Sequence, residues 1–123
     1  EKIFVNIGIN AIGALTRLRN GEMLEVIPVR RLMEESVKEA VMMAKMGGFP
    51  VEDKDHVAAM IEVARKTARN QNSMLQDVLK GKKTEIDFIN GKIVEIAQKL
   101  GMNAPINAML TALIKGLERS MSV

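Results

Sequence analysis

Lys2, Asn6 and Asn10 stand four residues apart in an otherwise oily stretch, EKIFVNIGINAIGALTR. Four residues advance about 400° in an α-helix, so an ammonium and two amides line one side of a rod and span roughly 12 Å along it. Ile3, Phe4, Val5, Ile7, Ile9, Ile12 and Leu15 occupy nearly every other face. A helix that is apolar all round is buried, so the polar stripe must serve something inside the protein. Either the amides bond a neighbouring helix or the stripe faces a bound polar molecule. Composition removes other chemistries. There is no Cys, which excludes disulfides and thiolates, and His56 is the only histidine. It sits in EDKDHV at an expected helix start and reads as a solvated surface residue, so neither a histidine-based triad nor a metal site is expected. What remains is amine, amide, hydroxyl and carboxylate chemistry.

The elements that must position such groups are helical. A first helix is expected from about Lys2 to Arg19, closed by Asn20-Gly21, a pair suited to a left-handed turn. Pro28 suits a first helical turn, and VRRLMEESVKEAVMMAKMGG follows with Val29, Leu32, Met33, Val37, Val41 and Ala44 facing inward. A third helix is read over EDKDHVAAMIEVARKTAR, acidic at its start and basic at its end. Asn70 to Ser73 lead into a short helix broken at Gly81. A longer helix begins near Thr84, which has capping-box spacing with Asp87, and INAMLTALIKGLERSM closes the chain after Gly101 and Pro105. The expectation is a single all-α domain over residues 1–123, of about six helices, with ten methionines acting mainly as adaptable core filler.

Charge and composition narrow the partners. The net charge of +3 comes from 18 basic residues scattered among 15 acids, and Phe4, Phe49 and Phe88 are the only aromatics. Without basic clusters or stacking platforms a nucleic-acid partner is not expected, whereas steering of an anionic small molecule fits. Charged residues, 27% of the chain, interrupt every apolar run, so no membrane span is expected. A chain without cysteine suits a reducing, cytoplasmic setting.

Three motifs in register carry a resemblance: K-x-x-x-N-x-x-x-N from Lys2 followed by N-G-E at Asn20 to Glu22, T-x-x-N-x-N-S-M-L-Q-D from Thr67 to Asp77, and T-E-I-D-x-I-N-G from Thr84 to Gly91. In order and spacing they resemble the C-terminal domain of the ketopantoate reductase family, across essentially the whole chain. The resemblance implies an all-α substrate and dimerisation domain of the type closing 6-phosphogluconate dehydrogenases. It also implies an NADPH-dependent reduction of 2-dehydropantoate to pantoate on the route to pantothenate and coenzyme A. By the same resemblance Lys2 is the general acid, Asn6, Asn10, Asn20 and Ser73 bind substrate, and Glu85 reaches the cofactor and the surroundings of the lysine. One departure is visible: Asn72 stands where the family has the first of two serines, which bears on the shape of the carboxylate pocket.

These roles agree with elementary chemistry. Hydride arriving at a ketone builds negative charge on oxygen, which a positioned ammonium stabilises and then protonates. Neutral amides and a hydroxyl suit a polar 2-oxo acid without adding charge. The same residues also have local explanations: Asn20 as a helix C-cap, Ser73 as an N-cap, Glu85 as an acid in a first helical turn. No G-x-G-x-x-G follows a strand, since Gly8 and Gly13 fall inside the first helix, so the Rossmann domain that binds most of the cofactor is expected upstream of Glu1. Its partners are then a 2-oxo acid, that domain and a second copy in a homodimer. The alternatives are a non-catalytic helical module of the same fold, serving dimerisation or ligand binding, and a reductase for another 2-oxo acid.

Overall fold

The apolar opening segment becomes the central rod of an all-helical bundle. In the computed structural model, which describes residues 2–121, α1 (Lys2–Thr16) is buried at every position from Ile7 to Ala14. Apolar groups on nearly all sides leave such a helix no stable place but the middle. Around it pack α3 (Ile27–Met46), α4 (His56–Lys66), α5 (Ser73–Leu79) and α7 (Pro105–Met121), with α6 (Asn90–Lys99) seated mainly on α3 and α7, while the short α2 (Asn20–Glu25) rests against α3 and α4. A 3-10 turn, Ile86–Phe88, precedes α6.

Contacts fix the directions. The His56 ring meets Phe4 edge-on at 4.8 Å, and Met60 lies against Gly8, so α4 runs parallel to α1. Val37 also meets Gly8 while Ala44 shares a concavity with Phe4, so α3 runs antiparallel. Asn90 reaches the Ile7 carbonyl and Ile93 lies by Ile3 and Phe4, so α6 is antiparallel too. Gly8 permits this convergence: a Cβ there would stand 2.6 Å from Met60 Cγ and 2.9 Å from Val37 Cγ2. Met23, Met33, Met43, Met60 and Met74 fill the core, as expected of an unbranched, adaptable side chain. No helix among the described residues is long and apolar enough to cross a membrane.

Several sequence boundaries are corrected. The first helix ends at Thr16 rather than Arg19, because Arg17 turns the chain at φ 63°. Asn20 therefore opens α2 instead of capping α1, and Arg19 N donates to Glu22 Oε1 at 2.8 Å in closing that helix start. The third helix starts at His56, capped by Asp55 accepting from Ala58 N, and leaves Glu52 outside it. His56 is buried at 6% exposure, its ring nitrogen Nε2 bonded to the Glu52 carbonyl, rather than solvated. Thr84 makes no capping box with Asp87, since its hydroxyl and amide both turn to Glu118 on α7. Val29, Leu32 and Val41 are half-buried; Met33, Val37 and Ala44 lie inside as expected.

Candidate functional site

Asparagine side chains attach the site-bearing segments to α1. An α-helical carbonyl has a second lone pair beyond its own helical bond, and a long amide can use it. Asn72 does so at the entry to α5: its Oδ1 accepts from Leu75 N at 2.9 Å, capping that helix, and its Nδ2 donates to the Ile9 carbonyl at 3.3 Å. Gly13 leaves the room, because a Cβ there would collide with Asn72 Nδ2. Ser73 opens α5 immediately after this tie.

Asn90, fully buried, does the equivalent for α6. Its Nδ2 donates to the Ile7 carbonyl at 3.4 Å and to Asn107 Oδ1 at 3.0 Å. Asn107 Nδ2 in turn donates to the Ser36 carbonyl and to Glu39 Oε1. Glu39 also accepts from the backbone amides of Ile106 and Asn107, at 3.1 and 2.8 Å, placing a carboxylate on the positive end of α7. One polar chain thus locks α1, α3, α6 and α7 together, and with them the segment carrying Glu85. The Asn20–Gly21 turn is paired with the same stretch that leads to Ser73, Asn20 N donating to Asn70 O and Gly21 N to Ala68 O.

Within this frame Lys2, Asn6, Ser73 and Glu85 are exposed and Asn10 is buried to 6% exposure. None of these side chains makes a hydrogen bond among the described residues, in contrast to Asn72, Asn90 and Asn107 beside them. The local explanations are not realised. Asn6 and Asn10 do not bond a neighbouring helix, the cap of α5 is Asn72 rather than Ser73, and Glu85 precedes the 3-10 turn without capping it. Asn10 is the most enclosed of the five, and its amide keeps some access to solvent rather than being shut in. Asn20 differs: its Nδ2 donates to Thr67 Oγ1 at 2.9 Å and its Oδ1 is enclosed without a partner.

Two concavities flank these residues in sequence. At the start of α1, Ile3, Phe4, Phe49, Pro50, Val51 and Ile96 line an apolar hollow of about 320 Å³. Past Gly81, Lys82, Lys83, Lys115 and Arg119 line one of about 440 Å³. Neither is lined by Lys2, Asn6, Asn10, Ser73 or Glu85. Among the described residues no group of three or more His, Cys, Asp or Glu is placed to hold a metal ion. The supporting residues Gly13, Asn90, Asn107, Glu39 and Glu118 were not singled out from sequence; Asn72 was noted only as a departure, and Asn90 only inside the third motif.

Residues 1–118 match the family described as ketopantoate reductase PanE/ApbA, C terminal. The chain is 41% identical over 117 residues to the 2-dehydropantoate 2-reductase of Pyrococcus horikoshii, covering 95% of this chain and 38% of that protein. Its fold is similar to the crystal structure of a PanE/ApbA family ketopantoate reductase from Ralstonia eutropha, with a TM-score of 0.90 and 32% identity, over 98% of this chain and 40% of that one. It is similar also to a D-mandelate dehydrogenase solved with NADH and anilino(oxo)acetate, TM-score 0.90 and 25% identity, over 99% of this chain and 40% of that one. The chain therefore spans about two fifths of the relatives it matches. With its central helix, its asparagine-docked segments and this likeness along nearly its full length, the chain belongs to the ketopantoate reductase family, as its C-terminal helical domain.

Proposed function

We propose that this chain is the substrate-binding, proton-donating half of an NADPH-dependent reductase that converts 2-dehydropantoate to pantoate, on the route to pantothenate and coenzyme A. The observation that carries the reading is the unengaged set Lys2, Asn6, Asn10, Ser73 and Glu85, four of them exposed, on or beside a helix to which the amide nitrogens of Asn72 and Asn90 are bonded. Lys2 Nζ stabilises the charge growing on the ketone oxygen and then gives it a proton, leaving a neutral amine to be reprotonated from solvent. Asn6 and Asn10 hold the substrate's polar groups along the stripe, and the Ser73 hydroxyl donates to its carboxylate. Asn20 Oδ1 is the unpaired acceptor left for a contact at its turn.

The residues present fit a contact with a nicotinamide cofactor rather than a cradle for it. No strand leads into a glycine-rich loop among the described residues, and Glu85 offers one unpaired carboxylate that can accept from a hydroxyl or amide. When bound, the reduced cofactor supplies the hydride. The remainder of its binding belongs to the Rossmann domain that this reading places before α1, and the apolar hollow at Phe4 and Phe49 supports the reading as a surface for such a domain to cover.

The test is steady-state kinetics on the full-length protein. Lys2→Ala should lower kcat by about 10²-fold or more, because its contact is strongest in the transition state. Ser73→Ala should raise KM for the 2-oxo acid with a smaller change in kcat, since the carboxylate is equally charged throughout. Near-normal kcat in Lys2→Ala would end its assignment as the acid. A second reading, reduction of a different 2-oxo acid, is favoured by the likeness to D-mandelate dehydrogenase at 25% identity. Comparing kcat/KM for 2-dehydropantoate and aryl 2-oxo acids decides between them.

A further inference from the structure

Glu85 stands on a stretch with little regular structure of its own, yet that stretch is gripped from one face of α7. Glu118 Oε2 accepts both from Thr84 N and from Thr84 Oγ1, each at 2.7 Å. Thr84 is buried at 7% exposure, and its Oγ1 accepts in turn from Ile86 N at 3.3 Å. Ile86 is inserted into the core at 1% exposure. Three residues before Glu118, Lys115 pairs with Asp87 at 2.9 Å, both side chains half-exposed. Residues three apart share a helix face, so one rigid helix holds the chain on either side of Glu85. The two ties are unequal. An exposed ion pair holds weakly, whereas a carboxylate taking two short bonds from a buried threonine holds strongly. The other end of α7 is fixed by Glu39 and Asn107, so the grip cannot drift.

From this we infer that Glu118 is a positioning residue for Glu85: it sets where the Glu85 carboxylate stands without touching cofactor or substrate itself. The inference rests on the reading of Glu85 given above. Loss of Glu118 leaves Glu85 in place chemically but frees Thr84, and with it the backbone that aims the carboxylate. A glutamine at 118 keeps an oxygen that accepts both bonds, so it preserves the aim.

The experiment is a double-mutant cycle in the full-length reductase, reading KM for the nicotinamide cofactor and kcat, with far-UV circular dichroism to show each variant folded. Glu118→Ala should raise the cofactor KM about tenfold, the scale of losing charge-assisted hydrogen bonds, whereas E118Q should stay within about twofold of the parent. In an E85A background, Glu118→Ala should add less than about twofold, because the group it aims is gone. Thr84→Val, which removes the hydroxyl half of the grip, should repeat the pattern at smaller amplitude and serves if Glu118→Ala fails to fold. An equal effect of Glu118→Ala with and without Glu85 would overturn the inference. So would an impaired E85A beside an unimpaired Glu118→Ala. If E85A itself is kinetically silent, the reading of Glu85 has failed and the inference falls with it.

Discussion

Gly13→Ala tests how the Ser73 segment is held on α1. Replacing glycine by alanine inside a helix ordinarily stabilises by about 1 kcal/mol. Here the new methyl would collide with Asn72 Nδ2 and stand 3.3 Å from Met23 Cε. Pushing Asn72 aside removes the cap on Leu75 N, about 1 kcal/mol, and leaves the buried Nδ2 without the Ile9 carbonyl, about 1–3 kcal/mol. The net expectation is a loss of about 1–3 kcal/mol, or a fall in Tm of roughly 4–12 °C for a domain of this size. The chain has no Trp or Tyr, so urea denaturation is best followed by far-UV circular dichroism. The decisive comparison uses Asn72→Ser as background. Serine keeps an oxygen for the cap but lacks the reaching amide, so Gly13→Ala should then cost nothing or stabilise. A coupling of about 1–3 kcal/mol is expected between the two sites. If Gly13→Ala stabilises the parent by its helix propensity, or behaves identically in both backgrounds, the clamp does not hold Ser73 in place and the argument fails.

Two further outcomes follow from charges. Glu39→Ala should destabilise by about 2–3 kcal/mol, because it uncaps α7 and removes a partner of the fully buried Asn107, and Glu39→Gln should cost roughly half that in the same urea titration. Glu95 is held below the usual carboxylate range by its hydrogen bond to Lys99, with Lys92 adding to the effect. A depressed folded-state pKa stabilises above the unfolded value and stops doing so as pH falls through the folded one. The small Tm advantage of the parent over Glu95→Gln should therefore be present at neutral pH and vanish in acid, and an advantage that grows on acidification would contradict it.

The all-helical class, the burial of the apolar opening helix and the starts near Lys2, Pro28, Ser73 and Pro105 were legible in the sequence, because periodicity, caps and breakers act within a few residues, whereas the helix expected from near Thr84 begins at Asn90. Lys2, Asn6, Asn10, Ser73 and Glu85 were singled out through side-chain type, spacing and family resemblance, and that their side chains lack partners among the described residues is a finding of the structure. The misreadings share a cause. Arg17 adopts a left-handed turn that no local signal marks, and Asn20 was read as the end of one helix when its backbone pairing to Asn70 makes it the start of another. His56 looked solvated behind four charged residues, Glu52 to Asp55, until Phe4, more than fifty positions earlier, supplied an aromatic edge. Thr84 found Glu118 instead of Asp87.

By itself the sequence determined the all-helical class and that the opening helix must be buried, since apolar periodicity dictates how much of each helix must leave water. Tertiary structure alone decided which asparagines are structural and which are free. Asn72, Asn90 and Asn107 carry the same amide as Asn6 and Asn10, and no local rule separates them. The difference is whether folding brings an unused carbonyl or carboxylate within reach of the amide nitrogen: the Ile9 and Ile7 carbonyls and Glu39 accept from the first group, while no such acceptor stands beside the second among the described residues.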